Sequence, residues 1–305
     1  MEVLVTAGGV NRPEDPLYEL TGVEKKALIP LAGKSMVTWV IEALYGSGII
    51  DNIVVVGLKP DETDLSNFPV HYVDPAGGMI DNILAALARA REINPTAQKM
   101  LLSSSDIPLI TPEIVRGFVE ECGSQEADIY YTVIEQKTME ARFPDSRRTF
   151  VPFIRDGNFS GGDMILADVT APERTDVELF RSLTSLRKNY FKQARLAGIG
   201  FIIRFLLRMM TLDEVAERVS KIVNLDVRAV VDGDDGVQAG FGVAPDVDLR
   251  VIVEAGMGGH VKIRVMRTGG HFKSSCDRAG RPGRRQFMLR TMYAMRREYL
   301  FFLFR

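Results

Sequence analysis

The sequence predicts an α/β protein whose core is a mostly parallel central sheet with helices on both faces. Two observations carry this. Short apolar runs without polar alternation, such as Glu2–Thr6 and Ile53–Gly57, suit strands buried on both faces. Helical segments fall between these runs, and strands alternating with helices favour parallel pairing. The composition is that of an ordinary globular chain: 305 residues, 46% hydrophobic, 26% charged, formal net charge −2. That is material for one large core or two smaller ones.

In chain order, Glu2–Thr6 is the first strand and runs into Gly8-Gly9. Met36–Gly46 reads as a helix, Ile53–Gly57 as a second strand and Val70–Val73 as a third. Met79–Ile93 is an alanine-rich apolar helix, and Lys99–Ser103 is a fourth strand. Thr111–Cys122 is a helix entered at a good N-cap residue, with Pro112 at its first position. Asp128–Val133 is a further strand. The pattern then changes. Arg142–Phe150 is basic and irregular, and Phe153–Arg155 with Phe159–Leu166 suggests a hairpin ending in Gly161-Gly162-Asp163. Val177–Leu196 and Leu212–Val223 read as helices, so this later part is largely helical. No internal repeat is found.

The longest apolar run, Ile199–Met210, is broken by Arg204 and Arg208 and is too short and too charged for a typical spanning helix. It reads as a core helix, with an interfacial helix as the alternative. From Gly256 onward cations dominate, and Asp277 and Glu298 are the only acids. This divides the chain into a domain of residues 1–255 and a basic tail of residues 256–305. The tail reads as an appendage; binding to an acidic surface, RNA or anionic lipid is the alternative. Cys122 and Cys276 form no C-x-x-C and suit a reducing compartment. With a core strand at the start and no signal-like segment, a cytoplasmic location is expected.

Gly8 and Gly9 follow a buried strand, where glycine permits unusual φ values and close approach to phosphate oxygens or a base edge. Lys25 or Lys26 could supply a mobile cation for a triphosphate. The plainer reading is a turn with solvated lysines. Gly33-Lys34-Ser35 is not the end of a P-loop, because Leu28 stands where its first glycine belongs. Ala7-Gly8-Gly9-Val10-Asn11-Arg12 is not a dinucleotide fingerprint, which argues against nicotinamide or flavin chemistry. Asp106 follows an apolar strand in Ser105-Asp106-Ile107-Pro108, at the edge where open α/β sheets bind ligands. A carboxylate there suits Mg²⁺, or it caps a turn. Asp74–Asn82 joins a strand end to a helix start, and Gly78 and Asn82 are candidates for contact with a base or ribose.

Together these residues resemble the nucleotidyltransferase superfamily of the molybdenum-cofactor guanylyltransferases, the methylerythritol-phosphate cytidylyltransferases and the sugar-phosphate nucleotidylyltransferases, and within it the MobA-like NTP transferases. The family pattern is matched by Ala7-Gly8-Gly9, Arg12, Lys26-Ala27-Leu28 and Gly33-Lys34, by Asp106 in Ser-Asp-Ile-Pro, and by Gly161-Gly162. The resemblance implies a Rossmann-related, GT-A-like fold. It implies Mg²⁺-dependent transfer of a nucleotidyl group from a nucleoside triphosphate to a small phosphorylated acceptor, with release of pyrophosphate.

By the same resemblance, Ala7, Gly8, Gly9, Gly78 and Asn82 hold the nucleotide, and Lys26 and Arg12 offset developing phosphate charge. Asp106 holds the metal. The family's late metal aspartate falls in Gly240–Asp248, where glycine occupies its place and Asp246 or Asp248 substitutes after a shift in register; Asp248 is taken here. Arg142, Arg147 and Arg148, with Gly161 and Gly162, form the acceptor side. Arg187 and Lys188 read as a solvated helix face. No nucleic-acid partner is expected, and peripheral membrane contact stays open. A glycosyltransferase of the same architecture is disfavoured by the lack of Asp-x-Asp at Asp106; a nucleotide-binding protein without catalysis is the other alternative.

Overall fold

The computed structural model describes residues 1–123, 126–144, 148–153, 155–185, 200, 204, 209–232, 249–255 and 261–267. Its centre is an eight-stranded sheet. The strands are β1 (Glu2–Thr6), β4 (Asn52–Val56), β5 (Val70–Val73), β6 (Lys99–Ser104), β7 (Ile129–Glu135), β8 (Val151–Phe153), β9 (Gly157–Asp168) and β10 (Val227–Asp232). A two-residue hairpin, β2 (Pro30–Leu31) with β3 (Lys34–Ser35), lies apart from it, as does the antiparallel pair β11 (Leu249–Ala255) and β12 (Val261–Arg267). The order across the sheet is β5-β4-β1-β6-β9-β7-β10, with β8 paired to β9.

The first half of the sheet is parallel, as the alternation of strands and helices predicts. β1 lies between β4 and β6, and Val3, Leu4 and Val5 are all 0% exposed, because both faces are covered. On one face, Val3 and Val5 meet helix α2 (Met36–Gly46) through Val40 and Ile41, and helix α4 (Pro112–Cys122) through Val115 and Phe118. On the other, Leu4, Val54 and Val56 meet helix α3 (Met79–Ile93) through Ala86, Leu87 and Ala90. Helix α4 begins at the expected proline, but Thr111 makes no side-chain capping bond to the backbone.

The second half departs from the sequence reading, which assigned no strand at Val227–Asp232 and no helix at Gln136–Arg142 or Ala171–Arg174. The hairpin of β8 and β9 forms, turning at Gly157 with φ +108°. Its second strand does not end at Gly161-Gly162-Asp163 but runs on to Asp168, antiparallel to both β6 and β7. Leu166 is the reason: it pairs with Leu101 on one side and Tyr130 on the other, and it is 3% exposed. The two glycines therefore sit inside a strand. A side-chain carbon on Gly161 would strike the Tyr131 hydroxyl, and one on Gly162 would stand 2.6 Å from Thr132 Cβ. They make room for β7, whose register shifts between Tyr131 and Val133.

Beyond the sheet, α1 (Pro16–Thr21) and a 3₁₀ turn at Lys26–Leu28 fill the loop after β1. Helix α5 is Gln136–Arg142, α6 is Ala171–Arg174 and α7 is Val177–Ser185. Residues 186–196 of the expected longer helix lie outside the described residues, as does most of the run Ile199–Met210. Helix α8 (Leu212–Val223) opens with a reciprocal cap: Glu214 N donates to Thr211 Oγ1 at 3.2 Å, and Thr211 N donates to Glu214 Oε2 at 3.1 Å. Among the described residues, no helix is long and apolar enough to cross a membrane.

Candidate functional site

Strand register builds the site. Thr6 pairs with Val56 on one side and Ser104 on the other, and Val56 pairs with Val73. The residues just past these strand ends, Gly8, Gly57, Asp74 and Asp106, therefore share the carboxyl edge of the parallel strands, where open sheets bind ligands.

Ala7 N donates to Val56 O at 2.8 Å and carries the chain out of β1. Gly57, at φ +103°, lies so close beneath this turn that a side chain there would meet the Gly8 backbone. The sequence reading passed over Gly57; its position at the end of the second buried strand was the available signal. The exposed Gly9 accepts at its carbonyl from Lys26 N at 3.0 Å, and the Lys26 side chain runs past it, its Cδ 3.7 Å from where a Gly9 Cβ would stand.

The structure separates the two lysines. Lys25 Nζ donates to Glu62 at 2.6 Å and to Gly57 O at 3.3 Å, and the pair is half-buried. The Glu62 carboxyl is held below the usual carboxylate range by the hydrogen bond from Lys25 and then by the Lys59 backbone N–H. Lys25 thus ties the loop after β4 to the turn after β1. Among the described residues, none takes Lys26 Nζ as a partner, which leaves it available to an anion. Lys34 is paired with Glu42 and stands 4.6 Å from the Trp39 ring centroid, and Gly33 is the φ +90° residue of the small hairpin.

Asn11, also missed, anchors the loop. Its N–H donates to Glu24 O at 2.7 Å and its amide to Val23 O at 2.9 Å, from a position 2% exposed. Arg12 is exposed, and its backbone N–H donates to Asp15 Oδ2 at 2.8 Å.

The loop before α3 is held from two sides. Asn82 Oδ1 accepts from Ala76 N at 2.7 Å, and its Nδ2 lies 4.0 Å from where a Gly8 Cβ would stand. Asp81 Oδ2 accepts from Gly78 N at 3.1 Å, while Oδ1 binds Arg181 of α7 at 2.8 Å. Arg181 is one hundred residues from Asp81 in sequence, which is why no local pattern revealed it.

Asp106 is exposed, and one of its oxygens accepts from the Ser104 hydroxyl. Among the described residues, no three His, Cys, Asp or Glu side chains converge. A single accessible carboxylate beside a hydroxyl does fit Mg²⁺, which takes one or two carboxylates together with substrate phosphates. Asp248 and Arg147 lie outside the described residues, as does the side chain of Arg142. Arg148 is described and faces inward: its Nε donates to Ser160 Oγ at 2.7 Å, another nitrogen reaches Gly161 O, and Asp163 lies 3.5 Å away. Ser103 pairs with Met164, so Gly161 and Gly162 continue past the end of β6, on the edge that carries Asp106.

A family model described as a MobA-like NTP transferase domain matches residues 3–168. A solved structure, a hypothetical transferase from Thermus thermophilus, is 31% identical, with 80% of this chain and 96% of that one covered at a TM-score of 0.66. A curated 2-C-methyl-D-erythritol 4-phosphate cytidylyltransferase from Saccharopolyspora erythraea is 29% identical over 101 residues, 31% of this chain and 45% of that protein. The match therefore spans less than half the length of that curated relative.

Proposed function

The chain belongs to the MobA-like NTP transferase family, and from that premise we propose that it is a Mg²⁺-dependent enzyme moving a nucleoside monophosphate from a nucleoside triphosphate to a small phosphorylated acceptor. The observation that carries the reading is the convergence of Gly8, Gly9, Lys26, Asn82 and Asp106 at one carboxyl edge, without a P-loop or a dinucleotide fingerprint.

In this reading an acceptor phosphate oxygen attacks the α-phosphorus of the triphosphate. A bond forms between that oxygen and phosphorus, the bond to the bridging oxygen of the β-phosphate breaks, and pyrophosphate leaves. The acceptor phosphate is already a nucleophile, so the protein's work is positioning and charge neutralisation. Gly8 and Gly9 let the backbone approach the nucleotide. Asn82, its carbonyl oxygen fixed by Ala76 N, turns its amide toward the same turn. Lys26 and Arg12 neutralise phosphate charge. Asp106, with Asp248 as second ligand, would hold Mg²⁺, which when bound neutralises phosphate oxygens. Arg142, Arg147 and Arg148 with Gly161 and Gly162 are assigned to the acceptor side, although Arg148 already serves β9 and acts there through that strand. Residues 1–255 form the transferase domain in this proposal, and 256–305 the tail.

The test is pyrophosphate release with Mg²⁺, each of the four ribonucleoside triphosphates and a panel of phosphorylated sugars, polyols and cofactor precursors. Release that requires one triphosphate and one acceptor is the expected result. Triphosphate binding without release across the panel would favour a binding protein, and release of free nucleoside diphosphate from a nucleotide sugar would favour glycosyl transfer.

A further inference from the structure

Helix α3 is entered where the chain has most conformational freedom. Gly77 has φ +126°, and Gly78, the residue that caps the helix, has no side chain to bond the free N–H groups of the first turn. Asp81, at the third position of the helix, supplies a restraint from the other direction: its Oδ2 accepts from Gly78 N at 3.1 Å. The two glycines make room for it. Side-chain carbons on Gly77 and Gly78 would stand 3.6 and 3.2 Å from that oxygen. A half-buried aspartate alone could swing away by rotating its side chain. Its second oxygen opposes this, because Oδ1 accepts from Arg181 Nε at 2.9 Å and lies 2.8 Å from Nη2. A guanidinium holds a carboxylate by direction as well as by charge. Arg181 in turn comes from a helix fixed elsewhere: its neighbour Phe180 packs against the apolar cluster of Ala171, Val223 and Leu225. A separate, local pair joins Arg181 to Glu178 one turn back in α7.

We infer that Arg181 is a positioning residue: acting through Asp81, it holds the turn of residues 74–82 in the form that brings Gly78 and Asn82 to the carboxyl edge. Asn82 follows Asp81 in the same helical turn, and its Oδ1 accepts from Ala76 N at 2.7 Å. Fixing that turn of α3 therefore fixes the loop before it at two points, Ala76 and Gly78. The anchor lies one hundred residues away in sequence, so the shape of the loop depends on where α7 is packed. The consequence for nucleotide affinity rests on the nucleotidyl-transfer reading; the consequence for the shape of the turn does not.

The experiment takes two readings on the full chain: exchange of the Gly78 amide by NMR without ligand, and calorimetric affinity for the four ribonucleoside triphosphates with Mg²⁺. Arg181→Ala is expected to speed the exchange about fivefold and to weaken triphosphate binding by a similar factor, the scale of one net hydrogen bond. Arg181→Lys keeps a cation without the fork and is expected to recover part of both; it also serves if the alanine variant fails to fold by circular dichroism. Glu178→Ala removes only the local pair and is expected to stay within about twofold of wild type. Asp81→Ala is expected to lose at least as much as Arg181→Ala, and adding Arg181→Ala to it to change neither reading further. Unchanged Gly78 exchange in the Arg181 variants, additive effects with Asp81→Ala, or an equal loss in Glu178→Ala overturns the inference. So does faster exchange with wild-type triphosphate affinity. Faster exchange in a protein whose wild type binds no triphosphate sinks the transferase reading and keeps the brace. Triphosphate binding with exchange indifferent to Arg181 does the reverse.

Discussion

Gly57 lies directly against Gly8: a side-chain carbon on Gly57 would stand 2.5 Å from the Gly8 α-carbon and 2.9 Å from the Ala7 carbonyl carbon. The turn after β1 keeps its shape because the end of β4 has no side chain. Gly57→Ala therefore combines a collision with backbone and an unfavourable φ, which by itself costs about 1–3 kcal/mol. We expect loss of stability in urea together with loss of triphosphate affinity. Gly33→Ala is the control: its φ is +90° with nothing within 4 Å, so it loses stability but retains nucleotide binding. Equal nucleotide affinity in both variants would remove Gly57 from the site's architecture.

Lys25 and Lys26 should separate cleanly. Lys26→Ala is expected to weaken triphosphate binding or turnover by about tenfold or more, the scale of one lost charge-assisted hydrogen bond, with little change in unfolding midpoint. Lys25→Ala leaves Glu62 without its cation and is expected to lower stability. Wild-type turnover in Lys26→Ala would assign the phosphate charge to another residue.

The Lys25–Glu62 pair also carries a pH dependence. Its hydrogen bonds lower the folded pKa of Glu62. A lowered folded pKa contributes stability that is present above the unfolded value, about 4.3 for glutamate, and is lost as pH falls through the folded value. Glu62→Gln should therefore be less stable than wild type at neutral pH, and the difference should shrink under more acidic conditions. A difference that grows on acidification would contradict the pairing.

Asp106→Asn is expected to remove most Mg²⁺-dependent pyrophosphate release while leaving the unfolding midpoint within about 0.5 kcal/mol, since the side chain is exposed. Unchanged turnover would take Asp106 out of the metal role.

The glycine pair in β9 offers a test of packing. Gly161→Ala should destabilise by about 1–3 kcal/mol through overpacking. Tyr131→Phe in the same chain should relieve part of that cost, because the nearest remaining atom is then the ring carbon at 3.3 Å. Gly162→Ala faces Thr132 Cβ at 2.6 Å and the Thr132 carbonyl oxygen at 2.9 Å, so trimming the threonine hydroxyl alone should not rescue it. Additive effects of Gly161→Ala and Tyr131→Phe in a double-mutant cycle would refute the contact.

Local chemistry was legible from end to end in some elements. Met36–Gly46 and Met79–Ile93 have the bounds that their apolar spacing predicts, and the run from Glu2 to Thr6 is a strand covered on both faces. Gly8-Gly9 and Asp106 could be recognised as strand-end residues because the signal, an apolar run followed by a polar turn, is contained in a few neighbouring positions. Gly161-Gly162 misled for the same reason. A glycine pair looks like a turn until the two strands flanking it are known, and these belong to segments distant in sequence.

By itself, the sequence determined the alternation of strands and helices, the covered first strand, the family and the residue types offered at the strand ends. The tertiary structure alone decided that Lys25 is spent on Glu62 while Lys26 is left beside Gly9, that Gly57 must be a glycine, that Arg181 braces Asp81, and that β9 enters the sheet antiparallel. The physical reason is range. Backbone propensity and apolar period act over a few residues and are written locally. Close approach, charge pairing and strand register depend on which distant segments share space, and packing settles that only when the chain is folded.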